Sequence, residues 1–168
     1  MIATGYESPL DIVRPYVALN STYAIVTEPV ESFGKWNDRS LVWESQRPYT
    51  YVRTTPDGRI IAGGEDVPFK AEGPRDALLP ITTGRIAKRL STLVPDVPIE
   101  VAHPWTGTFA ETEDGLPYIG EHPALPHVLF ALGYGGNGIT FSVIAAELLN
   151  ALVHGEQPPE AALFGFER

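Results

Sequence analysis

Six residues, Gly133-Tyr134-Gly135-Gly136-Asn137-Gly138, are the stretch best suited to hold a ligand. Glycine at this density lets the backbone take φ > 0 and lets a ligand approach without a Cβ in between. The apolar run Val128 to Leu132 in front reads as a strand, and the apolar run from Ile139 to Val153 behind reads as a helix. Amides that open such a helix point at whatever lies over the turn, with the positive end of the helix dipole behind them. Gly133, Gly135 and Gly138 also satisfy the G-x-G-x-x-G spacing of a dinucleotide fingerprint. That fingerprint needs a further strand after the helix, with an acidic residue ~20 positions on to hold a ribose. Here Pro158-Pro159 and the end at Arg168 follow instead, so a pyrophosphate cradle is not expected. A tight strand-to-helix turn with no ligand stays open, although four glycines and an asparagine exceed what such a turn requires.

A second candidate lies on a strand. By period two, Tyr49, Tyr51 and Arg53 share one face and Thr50 and Val52 the other. An aromatic, aromatic, cation face suits a polar pocket, and it equally suits a solvated outer face with Tyr chosen for β-propensity. Other chemistries find less support. His103, His122, His127 and His154 lack metal-ligand spacing, and His122 with His127 reads as loop composition. Glu111, Glu113 and Asp114 precede a glycine and read as a solvated turn. There is no Gly-x-Ser-x-Gly elbow and no Walker loop, and Ser142 lies inside the last helix. No metal is expected.

At 168 residues, 43% hydrophobic and 20% charged, the chain has enough apolar material for one cored domain plus a docked segment. A net charge of −9 argues against nucleic acid and anionic membrane surfaces as partners. Without cysteine there is no disulfide framework, thiolate metal site or cysteine nucleophile, and a reducing cytoplasm is the expected location. No apolar run reaches the ~20 residues of a membrane span, and the N-terminus lacks the basic start of a signal peptide.

These candidates need elements to hold them. Thr22 to Glu28 and Leu41 to Glu44 read as strands. Tyr49 to Arg53 and Arg59 to Gly64 flank Pro56-Asp57-Gly58, a hairpin signal in which Pro presets φ and Gly supplies the left-handed residue. Residues 75–94 form a helix candidate, strongest from Ile81, with Ile86, Leu90 and Leu93 on one stripe, Pro80 near its start and Pro95 at its end. Residues 99–110 read as a strand interrupted by Pro104, and Pro117 confines 116–120 to an edge or irregular segment. The last helix is apolar on most sides and is expected to be packed between layers, with Gly155 just past its end. The tail around Phe164 and Phe166 is apolar enough to dock.

Three pieces together carry a resemblance: Ile2-Ala3-Thr4-Gly5; Trp105-Thr106-Gly107 with Thr112-Glu113-Asp114-Gly115-Leu116-Pro117-Tyr118-Ile119-Gly120; and Gly133 to Ile139. In this order and spacing they resemble the C-terminal part of FAD-dependent oxidoreductases of the D-amino-acid oxidase, glycine oxidase and sarcosine oxidase group. The resemblance covers essentially the whole chain. It implies an α+β fold, with a mostly antiparallel substrate-binding sheet and one flanking helix. A C-terminal strand, glycine turn and helix would complete an FAD-binding domain. The implied divisions are 1–9, a remnant strand of the FAD-binding domain; 10–103, the substrate-binding domain; and 104–168, the isoalloxazine-binding segment.

The resemblance further implies FAD as cofactor and a small amine or amino-acid-like substrate, with hydride passing from a C–H beside nitrogen to the flavin. Gly136, Asn137, Gly138, Ile139 and Thr140 would approach the flavin ring, in the turn with Gly133, Tyr134 and Gly135. Thr4 and Gly5 would lie near the dinucleotide, and Pro117 near the ring. Tyr49, Tyr51, Arg53 and Phe109 are the substrate-binding candidates; no acid or base is named. Two departures stand out. The dinucleotide fingerprint of the family is missing, so the N-terminal FAD-binding half is expected either as a separate chain or as lost. Phe109 and Gly136 stand where glycine oxidases carry arginines that clamp a substrate carboxylate, a role left to Arg47 or Arg53. The alternative function is a non-catalytic fragment or subunit that binds no FAD without an N-terminal partner.

Overall fold

The computed structural model describes residues 11–45 and 49–168. Its strands are β1 (Ala18–Thr27), β2 (Val42–Trp43), β3 (Thr50–Thr54), β4 (Ile60–Pro68), β5 (Val101–Glu111), β6 (Tyr118–His122) and β7 (Leu125–Leu132). Its α-helices are α1 (Glu72–Ala77), α2 (Leu79–Leu93) and α3 (Gly138–Val153). The fold is α+β, with a mostly antiparallel five-stranded sheet in the order β2-β3-β4-β1-β5 and a β6–β7 hairpin.

The chain divides into two compact units: one of Ser21–Thr108, the other of residues up to 20 with Phe109–Arg168. In the first unit, α2 lies on the sheet because its apolar stripe matches one sheet face. Ile86 and Leu90 of α2 are fully buried with Tyr23, Ile25, Val52, Ile60 and Ala62. Burial of such side chains contributes roughly 1.5–3 kcal/mol each. The β3–β4 hairpin forms as expected, with Gly58 at φ 82° and antiparallel pairing of Val52 with Ala62 and of Tyr51 with Gly63. The short α1 precedes α2, so the helical region is broken between Ala77 and Leu79, just before Pro80.

β5 runs unbroken through Pro104, which the sequence suggested would interrupt it. The strand lies at the end of the sheet order, and an edge strand accommodates a residue without an N–H. In the second unit, β6, β7 and α3 enclose Ile119, Ala145, Leu148 and Phe164. The tail docks as its composition suggested, with Phe164 and Phe166 both buried. The helix ends in a Schellman arrangement: Gly155 at φ 78° donates to the Leu152 carbonyl, and the Glu156 N–H donates to that of Ala151.

Two expectations are corrected here. α3 is covered on one face only: Ala145 and Leu148 are buried, whereas Ile139 (88% exposed), Val143 and Val153 face outward. His122 is not a loop residue but a buried side chain of β6 among Tyr16, Phe130 and Phe166.

Candidate active site

The glycine turn splits into a packed half and an open half. Gly133 sits at φ 75°, and a Cβ there would strike the side chains of Thr112 and Val17. Gly135, at φ 54°, donates its N–H to the Ala110 carbonyl at 2.8 Å. Tyr134 packs toward the α3 core near Phe141, and burial pushes its phenol up. These three residues hold the turn against the end of β5. Gly136 and Gly138, by contrast, have open space where a Cβ would project.

The open half carries the donors. Asn137 occupies the N-cap position of α3, its side chain makes no capping bond, and its carbonyl accepts the Phe141 N–H at 3.0 Å. The amides of Gly138, Ile139 and Thr140 precede the first intrahelical bond, so helix geometry leaves them to an acceptor from outside. Ile139 and Thr140 are exposed beside them. A planar, partly anionic ring system fits this edge: bare Cα atoms permit close approach, and the amides with the dipole favour negative charge.

Pro117 is fully buried, and its carbonyl accepts from Arg168 Nη1 at 3.1 Å. Arg168 also reaches Asp114 (Nε to Oδ2, 2.7 Å) and the Leu116 carbonyl, and stacks over Tyr118 with 3.7 Å to the ring centroid. The Arg168 guanidinium, followed by the Leu116 N–H, holds the Asp114 carboxyl well below the usual carboxylate range. Asp114 is therefore an anchor for the C-terminus rather than the simply solvated turn residue expected. Thr4, Gly5 and Arg47 lie outside the described residues.

On the sheet, Val52 of β3 is buried against α2, which places Tyr51 and Arg53 on the opposite face. The ring and hydroxyl of Tyr51 cover Gly63, occupying the space a side chain there would need. Arg53 is exposed, and Tyr49 sets its ring edge-on to Trp43 at 6.0 Å. Phe109, near the end of β5, is half-buried and belongs to the other unit.

Asp66 was not singled out from the sequence. Strict alternation from Ile60 and Ala62 would point it at α2, but Gly64 (φ 144°) and Glu65 (φ 56°) shift the register. Beyond that irregularity, Glu65 pairs with Arg85 of α2 and Val67 joins the α2 core. Asp66 faces the other way, close enough to help burial push the Tyr51 phenol up. The Gly63-Gly64 pair inside a strand was the available signal.

Among the described residues, no three His, Cys, Asp or Glu side chains converge as a metal site, and no helix is long and apolar enough to cross a membrane.

The mostly antiparallel sheet backed by helices lies chiefly in one unit, and the strand, glycine turn and helix with an open amide edge lie in the other. The chain belongs to the DAO family, FAD dependent oxidoreductases, whose pattern matches residues 1–152. It is similar to glycine oxidase of Geobacillus kaustophilus (strain HTA426), 29% identical over 147 residues, covering 87% of this chain and 33% of that protein. Similarity to glycine oxidase of Bacillus subtilis (strain 168) is 28% over 139 residues, covering 81% and 37%. The crystal structure of the Geobacillus kaustophilus enzyme shares the fold with a TM-score of 0.70 at 23% identity, over 91% of this chain and 40% of that one. The chain thus spans about a third of the length of the curated relatives it matches.

Proposed function

We propose that this chain is the C-terminal part of an FAD-dependent oxidoreductase that oxidises a small amine or amino-acid-like substrate. The observation that carries the reading is the open amide edge of α3 at Gly136 to Thr140, with bare Cα atoms at 136 and 138. Its membership of an FAD-dependent family supports the same cofactor. FAD bound there would supply the acceptor for a hydride from a C–H beside nitrogen.

The chain's own residues bind and position. With FAD bound, Gly138, Ile139 and Thr140 would offer their N–H groups to negative charge on the flavin, and the α3 dipole would reinforce them. Gly133 and Gly135 fix the turn, and Arg168 anchors the Pro117 segment. Tyr51 and Arg53 present a ring and a cation from one sheet face for substrate, and Tyr49 adds aromatic surface; Phe109, in the other unit, is a separate substrate-binding candidate. Arg53 takes over carboxylate binding in place of the arginines absent at Phe109 and Gly136.

The matched stretches cover only 33% and 37% of the glycine oxidases that it resembles, and the dinucleotide fingerprint is not in this sequence. The reading leaves the pyrophosphate to an N-terminal dinucleotide-binding half, whether a domain of the same protein or a separate chain. The test is colour: the chain is mixed with FAD, alone and with a separately supplied N-terminal dinucleotide-binding half, and desalted. Retained flavin absorbance in either mixture, followed by amine-dependent bleaching, supports the assignment. Colourless protein in both mixtures favours the second reading, a non-catalytic subunit.

A further inference from the structure

We infer that Arg168 is a positioning residue for the flavin edge: through the Leu116 carbonyl it fixes the side chain of Thr112, on which Gly133 of the glycine turn rests. The inference rests on the assignment of that turn to flavin proposed above, and adds the residue that sets its place.

Thr112 follows the end of β5 and is buried. Its hydroxyl donates to the Leu116 carbonyl at 2.8 Å, with Asp114 Oδ1 at 3.2 Å as a second acceptor. Its Cγ2 lies 2.5 Å from where a Cβ at Gly133 would stand, so this methyl group packs directly on the bare Cα of the turn. The hydroxyl and methyl of threonine share one Cβ and move together between a few staggered rotamers. Holding the hydroxyl on Leu116 therefore holds the methyl under Gly133.

Arg168 closes the other side. Its Nη2 donates to the same Leu116 carbonyl at 2.6 Å, so both lone pairs of that oxygen are taken. Nε and Nη2 also bind both oxygens of Asp114, at 2.7 and 3.1 Å, a bidentate charge-assisted contact. Asp114 Oδ1 in turn accepts the Leu116 N–H at 3.0 Å. The Leu116 backbone is thus held at its carbonyl by the guanidinium and at its N–H through the carboxylate that the guanidinium fixes. All these residues belong to one compact unit. Arg168 lies beyond residues 1–152 that the family pattern matches, whereas Thr112, Leu116 and Gly133 lie within them. The tail outside the pattern reaches back to frame a turn inside it. From Gly133 the chain runs within a few residues to the amides of Gly138 to Thr140, so a displacement at Gly133 is passed to the edge that would meet the flavin.

The test follows amide hydrogen exchange in the 168-residue chain, in the parent, Arg168→Ala, Thr112→Val and the double variant. The Gly135 N–H, bonded to the Ala110 carbonyl, reports on the turn, and the Leu148 N–H inside α3 reports on the unit as a whole. Arg168→Ala should speed exchange at Gly135 at least tenfold and at Leu148 less than twofold. In the Thr112→Val background, where the hydroxyl is gone, loss of Arg168 should add less than twofold at Gly135. Equal acceleration at the two amides, no acceleration at Gly135, or the same tenfold effect without the Thr112 hydroxyl overturns the inference. Where an Arg168→Ala chain does not fold, Arg168→Lys, which keeps the charge and loses the fork, takes its place with the same expectations. With FAD and an N-terminal dinucleotide-binding half supplied, Arg168→Ala should also shift the absorbance band of the retained flavin, and guanidinium ion below denaturing concentration should restore it. An unshifted band beside accelerated Gly135 exchange overturns the inference. Failure of the parent to retain flavin would defeat the cofactor assignment and leave the exchange comparison unaffected, so the two failures are distinguishable.

Discussion

Tyr51 lies across the β3–β4 ladder from Gly63 and fills the space that a side chain at 63 would occupy. A methyl group there must displace the ring. Gly63→Ala should therefore lower stability by about 1–3 kcal/mol, the range for overpacking, despite the usual gain from removing a strand glycine. Urea unfolding checks this through a lower midpoint at constant slope. A neutral or stabilising result would mean that Tyr51 is a loosely held surface residue.

Burial first, and the Asp66 carboxylate second, raise the Tyr51 phenol above its ordinary value of 10.0. The folded chain thus holds this proton more tightly than the unfolded chain. The associated stability is fully present below pH ~10 and is lost as pH rises through the folded value. Tyr51→Phe should flatten part of the alkaline fall in melting temperature; only part, because Tyr134 is raised as well. An identical alkaline profile in the variant would contradict this placement of Tyr51.

The Asp114–Arg168 contact works in the opposite sense. Because the folded Asp114 carboxyl titrates far below 3.8, its contribution is present above that value and is lost as pH falls below it. Asp114 is partly exposed, so the ion pair is worth on the order of 1 kcal/mol. Arg168→Ala should lower the melting temperature near neutral pH, and the difference from the parent should shrink at pH 2–3. A constant difference across pH would show that the arginine acts through packing on Tyr118 alone.

Gly133 and Gly138 should behave differently on substitution. Gly133→Ala meets Thr112 and Val17 at a left-handed φ, and should destabilise the chain by roughly 1–3 kcal/mol. At Gly138 a Cβ meets nothing within 4 Å, and Gly138→Val should change stability by less than about 1 kcal/mol. Thermal unfolding of both variants checks the contrast. Equal losses would mean that the open half of the turn is packed after all.

Local chemistry explains which features were readable. The hairpin announced itself through Pro56-Asp57-Gly58, α2 through Ile86 and Leu90, and the end of α3 through Gly155. Each signal lies within a few residues of what it specifies. Passage of β5 through Pro104 depends on its edge position, which no local pattern encodes. Burial of His122 depends on Tyr16 and Phe166, both remote in sequence. The Asp114–Arg168 contact spans 54 residues. Asp66 escaped notice because two residues of positive φ reverse the alternation that period-two reading assumes. The glycine turn was legible as a ligand site by composition, but its division into packed and open halves needed the neighbours of each Cα.

If the open edge of α3 approaches a flavin, a side chain added at Gly138 must weaken flavin retention. The chain and its Gly138→Val variant are each combined with FAD and an N-terminal dinucleotide-binding half, desalted, and compared by flavin absorbance per protein. Retention by the parent and at least tenfold less by the variant, with both equally folded, is the predicted result. Equal flavin absorbance in the two would mean that the open edge of α3 does not approach the flavin.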